Sequence, residues 1–239
     1  MIPLRDPSTT RVKPVITVLL ILVNLGVFFL IQSRGTAADQ QALIYERAAI
    51  ACEVTKGSPL NIEEIVTERC PLPDSPSEVP FPDKNVLLAI LVSMFLHGGV
   101  THVLFNMWFL WIFGNNVEEA FGHLGYLSLY LLGGLAGTVA YVFGNPDSTI
   151  PLVGASGAIA VTMGAYTVLF PGNRIISLVG WFILPVPAVV FLVLWFLTQF
   201  GLGGTSVAWE AHVGGFVFGA LVSLLFRQRL LRRTAAVYR

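Results

Sequence analysis

Long apolar runs recur along the chain at about residues 15–32, 99–117, 124–143, 152–170, 185–200 and 207–226, separated by short polar breaks and one long polar interval. A helix rises about 1.5 Å per residue, so these runs approach or match the roughly 30 Å hydrocarbon core of a bilayer. The pattern predicts an all-α polytopic membrane protein with six transmembrane helices. Residues 1–14 form an amino-terminal segment, 15–226 the membrane domain and 227–239 a basic tail. The interval 34–98 is one large loop between the first two spans, with nine acidic side chains against five basic ones and a Pro-rich stretch, CPLPDSPSEVPFPD. Its early part, ADQQALIYERAAI, has helical spacing.

Composition agrees with a membrane protein: 55% of the 239 residues are hydrophobic and 12% are charged, where soluble domains average about 25% charged. Zero formal net charge and a pI near 6.9 give no electrostatic reason to expect nucleic acid as a partner. Arg5, Arg11 and Lys13 precede the first span, and Arg227, Arg229, Arg232, Arg233 and Arg239 follow the last. The positive-inside rule then puts both termini in the cytoplasm and the loop 34–98 outside. No small-residue cleavage site follows the first run, which is expected to remain as a helix, and the acidic Asp6 argues against an organellar transit peptide. The expected location is the plasma membrane of a bacterium or archaeon. Cys52 and Cys70 both fall in the outside loop. They could form a disulfide worth about 3 kcal/mol, or remain two free thiols.

Polar groups within the membrane are costly and tend to mark sites. His102 and Asn106 lie near the start of the second run, Ser156 near the start of the fourth and His212 near the start of the sixth. All three runs travel from outside to inside, so these residues share the outer leaflet. Fifteen residues separate Ser156 from the inner boundary at Phe170, counting both ends, and fifteen separate His212 from Phe226. That is about 22 Å of helix, which places both side chains roughly 8 Å below the outer surface. Ala160 and Gly164 follow Ser156 by four and eight, while Gly215 and Gly219 follow His212 by three and seven. Each polar residue thus heads a stripe of small residues that lets helices approach closely.

A serine hydroxyl is a weak nucleophile until a base removes its proton, and histidine suits that role. Ser156 and His212 can form such a pair. His102 and Asn106, four apart on one helical face, can donate hydrogen bonds to a developing oxyanion, and the Ser156 amide with its helix dipole is a third candidate. Ordinary small-residue packing around Ser156 is the simpler alternative. His97, His102 and His212 could in principle bind zinc, but HExxH is absent and no intramembrane carboxylate accompanies them, so no metal is expected. His123, in the inner turn between the second and third runs, is expected to be structural. The soluble hydrolase elbow G-x-S-x-G is not matched, because Gly157 follows the serine directly.

Four segments together resemble the rhomboid intramembrane serine proteases: HGGVTHVLFNM from His97 to Met107, GNNVEEAFG from Gly114 to Gly122, GASG from Gly154 to Gly157, and AHVGGFVFG from Ala211 to Gly219. The resemblance implies a six-helix rhomboid-like bundle needing no cofactor. It also implies Ser156 as nucleophile, His212 as base without an aspartate, and His102 and Asn106 as oxyanion donors. Gly215 and Gly219 then look like the family's glycines where the sixth helix packs on the fourth. Glu118 matches a structural glutamate at the inner turn, and His97 a histidine near the site with no assigned step. The implied partners are single-pass membrane proteins, cut within or next to their transmembrane segment, and the lipid bilayer itself. Trp195 and Phe196 mark the fifth helix as a candidate lateral gate, with lipid contact or packing as the plainer alternative. The first loop departs from the many members that carry a Trp-Arg pair there, since it has no tryptophan and is enlarged around Cys52 and Cys70. A non-catalytic client-binding relative usually lacks the serine or histidine, and both are present. A transporter or channel would suggest paired broken helices or buried charges along a path, where this chain offers one polar cluster on one side.

Overall fold

A computed structural model of the chain describes residues 1–8, 10–72, 75–201 and 207–237; Arg239 of the basic tail and Pro73 and Asp74 of the Pro-rich stretch lie outside them. The chain is a helix-rich polytopic bundle. Val15–Val27 (α1) continues through a π-helical turn to Gln32, and Val100–Phe121 (α6) and His123–Gly144 (α7) follow the large loop. Ser156–Leu169 (α8), Ala188–Gln199 (α9) and Trp209–Val237 (α10) complete the core. Residues 15–32, α7 and α10 are each long and apolar enough to cross a membrane, while α8 and α9 are shorter apolar helices. The short apolar helix Val86–Val92 (α5) joins α6 across a 77° bend, and the two together also pass that test.

Helix α8 is the hub. It is apolar on every face, as expected of a helix surrounded by others, and every residue from Gly157 to Tyr166 is buried. Its crossing with α10 depends on missing side chains. A Cβ on Gly215 would stand 2.2 Å from the Gly157 carbonyl oxygen, one on Gly219 would stand 2.0 Å from that of Val161, and one on Gly164 would stand 2.0 Å from that of Phe216. The tight face of α8 is therefore Gly157–Val161–Gly164. This is one step round from the Ser156–Ala160–Gly164 stripe expected from spacing, and it leaves Ser156 at the edge of the contact.

Acidic side chains tie together the end of the bundle where α1 begins and α6 ends. The buried Glu118 carboxylate accepts hydrogen bonds from the Ile16 and Thr17 amides, each at 2.8 Å, and from Thr17 Oγ1 at 2.7 Å. Glu118 Oε1 also lies 2.6 Å from His123 Nδ1. The first amides of a helix have no intrahelical acceptor, so a carboxylate on α6 caps α1. Glu119 similarly takes the Arg11 and Val12 amides at 2.6 and 2.9 Å.

The helical class is joined by small sheets that the periodicity does not predict. Ile2–Arg5 (β1), Arg174–Val179 (β4) and Phe182–Pro187 (β5) form an antiparallel sheet in the order β1–β4–β5. The fifth apolar run, expected as helix from 185, is strand through Pro187, because Pro185 and Pro187 cannot lie inside a helix. The fourth run, expected from 152, begins as strand, and its helix starts only at Ser156. The basic tail continues α10 as helix to Val237.

The long loop 34–98 is ordered by local chemistry. Ala37–Arg47 (α2) is capped by Thr36 and Asp39, and Ile62–Thr67 (α4) by Asn61 and Glu64, each as a reciprocal capping box. Between them runs Ala51–Lys56 (α3). The Cα atoms of Cys52 and Cys70 stand 6.2 Å apart, within reach of a disulfide. Lys84 and Glu53 form a buried ion pair at 2.5 Å; burial lowers the Lys84 pKa from its ordinary value, with Glu53 opposing that shift. Ala49–Ile50 (β2) pairs with Pro151–Leu152 (β3), so the loop is stitched to the segment that leads into Ser156.

Candidate active site

Ser156 opens α8, following the loop Val153-Gly154-Ala155. Ala155 O accepts the first helical bond, from the Ile159 amide at 2.9 Å, which leaves the Ser156, Gly157 and Ala158 amides without intrahelical acceptors. Gly154 has φ +127°, and a Cβ there would stand 2.9 Å from His102 Nε2 and 3.5 Å from Ser156 Oγ. Only glycine lets the backbone pass between those two groups. Its amide donates to Ser93 O at 3.0 Å, while Ser93 Oγ accepts the Ala49 amide at 2.5 Å, so one serine links the long loop to this turn.

His212, in the first turn of α10, places Nε2 2.8 Å from Ser156 Oγ. Its Nδ1 lies 2.8 Å from Gln199 Oε1 at the end of α9. The Gln199 amide nitrogen donates to the Trp195 carbonyl at 3.0 Å, and a carbonyl can only accept, so the amide oxygen must face the histidine. Gln199 therefore selects the tautomer with a proton on Nδ1 and a lone pair on Nε2, facing the hydroxyl. The Trp195 ring lies over the imidazole with centroids 6.0 Å apart, which makes Trp195 a packing partner of His212 in this structure. Sequence reasoning missed Gln199. The available signal was an amide in the otherwise uncharged apolar interval that ends α9.

His102 Nδ1 accepts the Gly98 amide at 3.3 Å, so a neutral His102 carries its proton on Nε2, the atom toward Gly154 and Ser156. Asn106, one turn further along α6, is buried and its Nδ2 donor has no partner. An orphan buried donor calls for an explanation, and a site for an incoming acceptor supplies one. Ser156, His212, His102 and Asn106 line one cavity of about 820 Å³ that extends to the polar residues Asn145 and Glu210. His97 does not line it. Its ring stands edge-on to His102 at 5.2 Å, and its backbone amide donates to Gln32 Oε1 at 2.9 Å while its carbonyl accepts from Gln32 Nε2. That clamp holds the end of the first span against the site's rim. Glu118 is twelve residues beyond Asn106 on α6, about 18 Å away along the axis, with no part in the cavity.

Ser156 and His212 in hydrogen-bond contact beside the unpartnered Asn106 donor, inside a bundle of apolar helices, define the class: a polytopic membrane protein with a serine–histidine pair in its cavity. The chain matches the Rhomboid domain over residues 84–229, and it belongs to the rhomboid family. It is 32% identical over 144 residues to "Presenilin-associated rhomboid-like protein A, mitochondrial" of Danio rerio, covering 57% of this chain and 37% of that one. It is 25% identical over 208 residues to "Rhomboid protease GluP" of Bacillus subtilis, covering 87% and 34%. With "Rhomboid protein 1, mitochondrial" of Saccharomyces cerevisiae it shares 32% over 143 residues, covering 56% and 40%. The chain thus spans between a third and a half of the length of these curated relatives.

Proposed function

We propose that the protein is an intramembrane serine endopeptidase that cleaves single-pass membrane proteins within or next to their transmembrane segment. The observation that carries this reading is the 2.8 Å contact between Ser156 Oγ and His212 Nε2 in the cavity that also holds the unpartnered Asn106 donor. Ser156 Oγ attacks the scissile carbonyl carbon as His212 Nε2 takes the hydroxyl proton. The carbonyl oxygen becomes an oxyanion, held by His102 Nε2–H, Asn106 Nδ2–H and the Ser156 amide. The C–N bond then breaks, the leaving amine takes the proton from His212, and water hydrolyses the acyl-serine with His212 again as base. No cofactor or metal enters any step.

The site requires an extended substrate backbone, so helix-weakening Gly, Pro or small polar residues near the scissile bond favour cleavage. The chain crosses the membrane six times through 15–32 and the five later helices. Both termini lie on the cytoplasmic side and the cavity opens to the outer leaflet, an orientation supported by the arginines and lysine flanking the first and last spans. A bacterial or archaeal plasma membrane is the proposed location. The Bacillus subtilis relative accords with it, and the mitochondrial names of the two others mark the alternative membrane. The test is incubation of the purified protein in liposomes with a panel of single-pass substrates, read by mass spectrometry of the products. Cuts in or beside transmembrane segments that vanish in Ser156→Ala are expected; no cleavage of any substrate by wild type, or equal cleavage by the variant, overturns the reading.

A further inference from the structure

The antiparallel sheet sits where a soluble sheet would not. Trp108 Nε1 on α6 donates to Pro3 O of β1 at 2.8 Å, and Asn116 Nδ2, also on α6, donates to Asp6 Oδ2 at 2.8 Å. Trp108 and Asn116 are eight residues apart, about 12 Å along the helix axis, and Pro3 to Asp6 is about 10 Å of extended chain. Strand β1 therefore runs alongside α6. Trp108 lies about 20 Å of helix from the inner end of α6 at Phe121 and about 12 Å from its start at Val100. Pro3 is thus carried to the middle depth of the bundle. Ile2 pairs with Leu178 and Arg5 with Ile176, so the hairpin β4–β5 climbs beside β1 with its turn, Gly180-Trp181, at the far end from the inner face.

The side chains at that end are apolar and uncovered. Trp181 is 96% exposed, Phe182 70% and Ile183 63%, and no charged residue occurs between Arg174 and Glu210. The sheet edges are equally unusual. At the hairpin base the Ala188 amide donates inward to Asn173 O at 2.7 Å. Backbone direction alternates along a strand, so the amides of Phe182, Leu184 and Val186 also face β4. Positions 183, 185 and 187 then face outward, and two of those three are prolines with no N–H to leave unsatisfied. On the opposite edge the outward position is Pro3, again without a donor, and its carbonyl is taken by the Trp108 indole. Open sheet edges are excluded from hydrocarbon because unpaired amides cost several kcal/mol each. Proline at positions 185 and 187 removes two of the three outward donors of β5, leaving the Ile183 amide and the edge carbonyls open.

From these observations we infer that the β1–β4–β5 sheet lies within the bilayer beside α6 and α9, with the apolar side chains of the Gly180-Trp181 turn against lipid acyl chains. The same prolines make the β5 edge a poor template for an added strand, so its partner is lipid and not a peptide.

The experiment places a nitroxide on Trp181→Cys, where the native Cys52–Cys70 pair leaves the new thiol as the sole labelling site, with the protein in phosphatidylcholine–phosphatidylglycerol vesicles. Power saturation compares oxygen, which concentrates in acyl chains, with a water-soluble nickel chelate. Leu22→Cys on the exposed face of α1 and Val66→Cys in the outside loop serve as lipid and water references. Oxygen-dominated relaxation like that at Leu22 is expected. Nickel-dominated relaxation like that at Val66 overturns the inference, as does dipolar broadening from a second copy seated on the hairpin. Phe182→Cys repeats the measurement should the first variant fold poorly, with the same outcomes decisive.

Discussion

Gln199 Oε1 accepts from the proton-bearing Nδ1 of His212 at 2.8 Å, and this bond, made from α9 to α10, sets which imidazole nitrogen faces Ser156. Gln199 is a positioning residue in that arrangement: it touches the histidine and not the reacting atoms. Gln199→Leu removes the acceptor and is expected to lower turnover about tenfold, the worth of one neutral hydrogen bond, with little change in KM. Gln199→Glu keeps an oxygen at the same place and should recover most of that loss. Steady-state kinetics on a fluorogenic transmembrane substrate separates these outcomes, and equal rates for both variants would make the contact incidental.

His102→Ala and Asn106→Ala each delete one of the proposed oxyanion donors. Donors of this kind act mainly in the transition state, so kcat should fall by about 10²-fold while KM moves little. Single-turnover rates at saturating substrate check this. Unchanged turnover in both variants would assign the orphan Asn106 amide to another role.

The crossing of α8 and α10 is sensitive to one carbon. Gly215→Ala and Gly219→Ala each put a Cβ about 2 Å from a backbone oxygen that cannot step aside, since it belongs to the buried hub helix. Overpacking of this sort costs about 1–3 kcal/mol. Gly26→Ala on α1 meets nothing within 4 Å and serves as the control. Thermal denaturation in detergent should rank both α10 variants well below wild type and Gly26→Ala beside it.

In the long loop, burial works to raise the Glu64 pKa, but the Lys56 ammonium and the Asn61 and Leu72 amides outweigh it and hold the carboxyl below its ordinary value. A depressed carboxylate contributes stability that is full above the unfolded value of about 4.3 and is lost as pH falls through the folded value. Hydrogen exchange of residues 61–72 should therefore keep its protection above that pH and lose it on further acidification. Glu64→Gln should show weaker protection with little pH dependence. The Cys52–Cys70 pair, with Cα atoms 6.2 Å apart, lies within disulfide range, and non-reducing peptide mapping of membrane-extracted protein should recover the two peptides joined.

Hydropathy made the helices legible because lipid-facing and core-facing residues of a membrane bundle are both apolar, so whole spans stand out. The same property hid the sheet. Residues 175–184 fall between two expected spans with no strand predicted, residues 185–187 read as the start of the fifth, and only Pro185 and Pro187 hint that helix has to wait until Ala188. Counting helical turns put Ser156 and His212 at one depth, and their side chains are in hydrogen-bond contact in the structure. Turn counting cannot give rotation about a helix axis, which is why the tight face of α8 came out one residue away from the expected stripe. Gln199 was invisible for a different reason: its partner is thirteen residues downstream, across a turn whose path no spacing rule fixes.

Ser156 is expected to be the single nucleophile. Its hydroxyl stands on the lone pair of His212, at a helix start where three amides lack intrahelical acceptors, and Gly154 holds the approach to it open. A fluorophosphonate or isocoumarin, which phosphorylates or acylates a serine only when a base has activated it, should label the protein once, with peptide mapping placing the adduct on Ser156. His212→Ala should block labelling with the hydroxyl still present. Ser156→Ala should abolish both labelling and cleavage and leave the melting temperature near that of wild type, because it removes one oxygen from the edge of a small-residue contact and adds no volume. Labelling that persists in Ser156→Ala, or a wild-type protein that resists every such reagent while cleaving substrate, would mean that this serine only packs and the chemistry lies elsewhere.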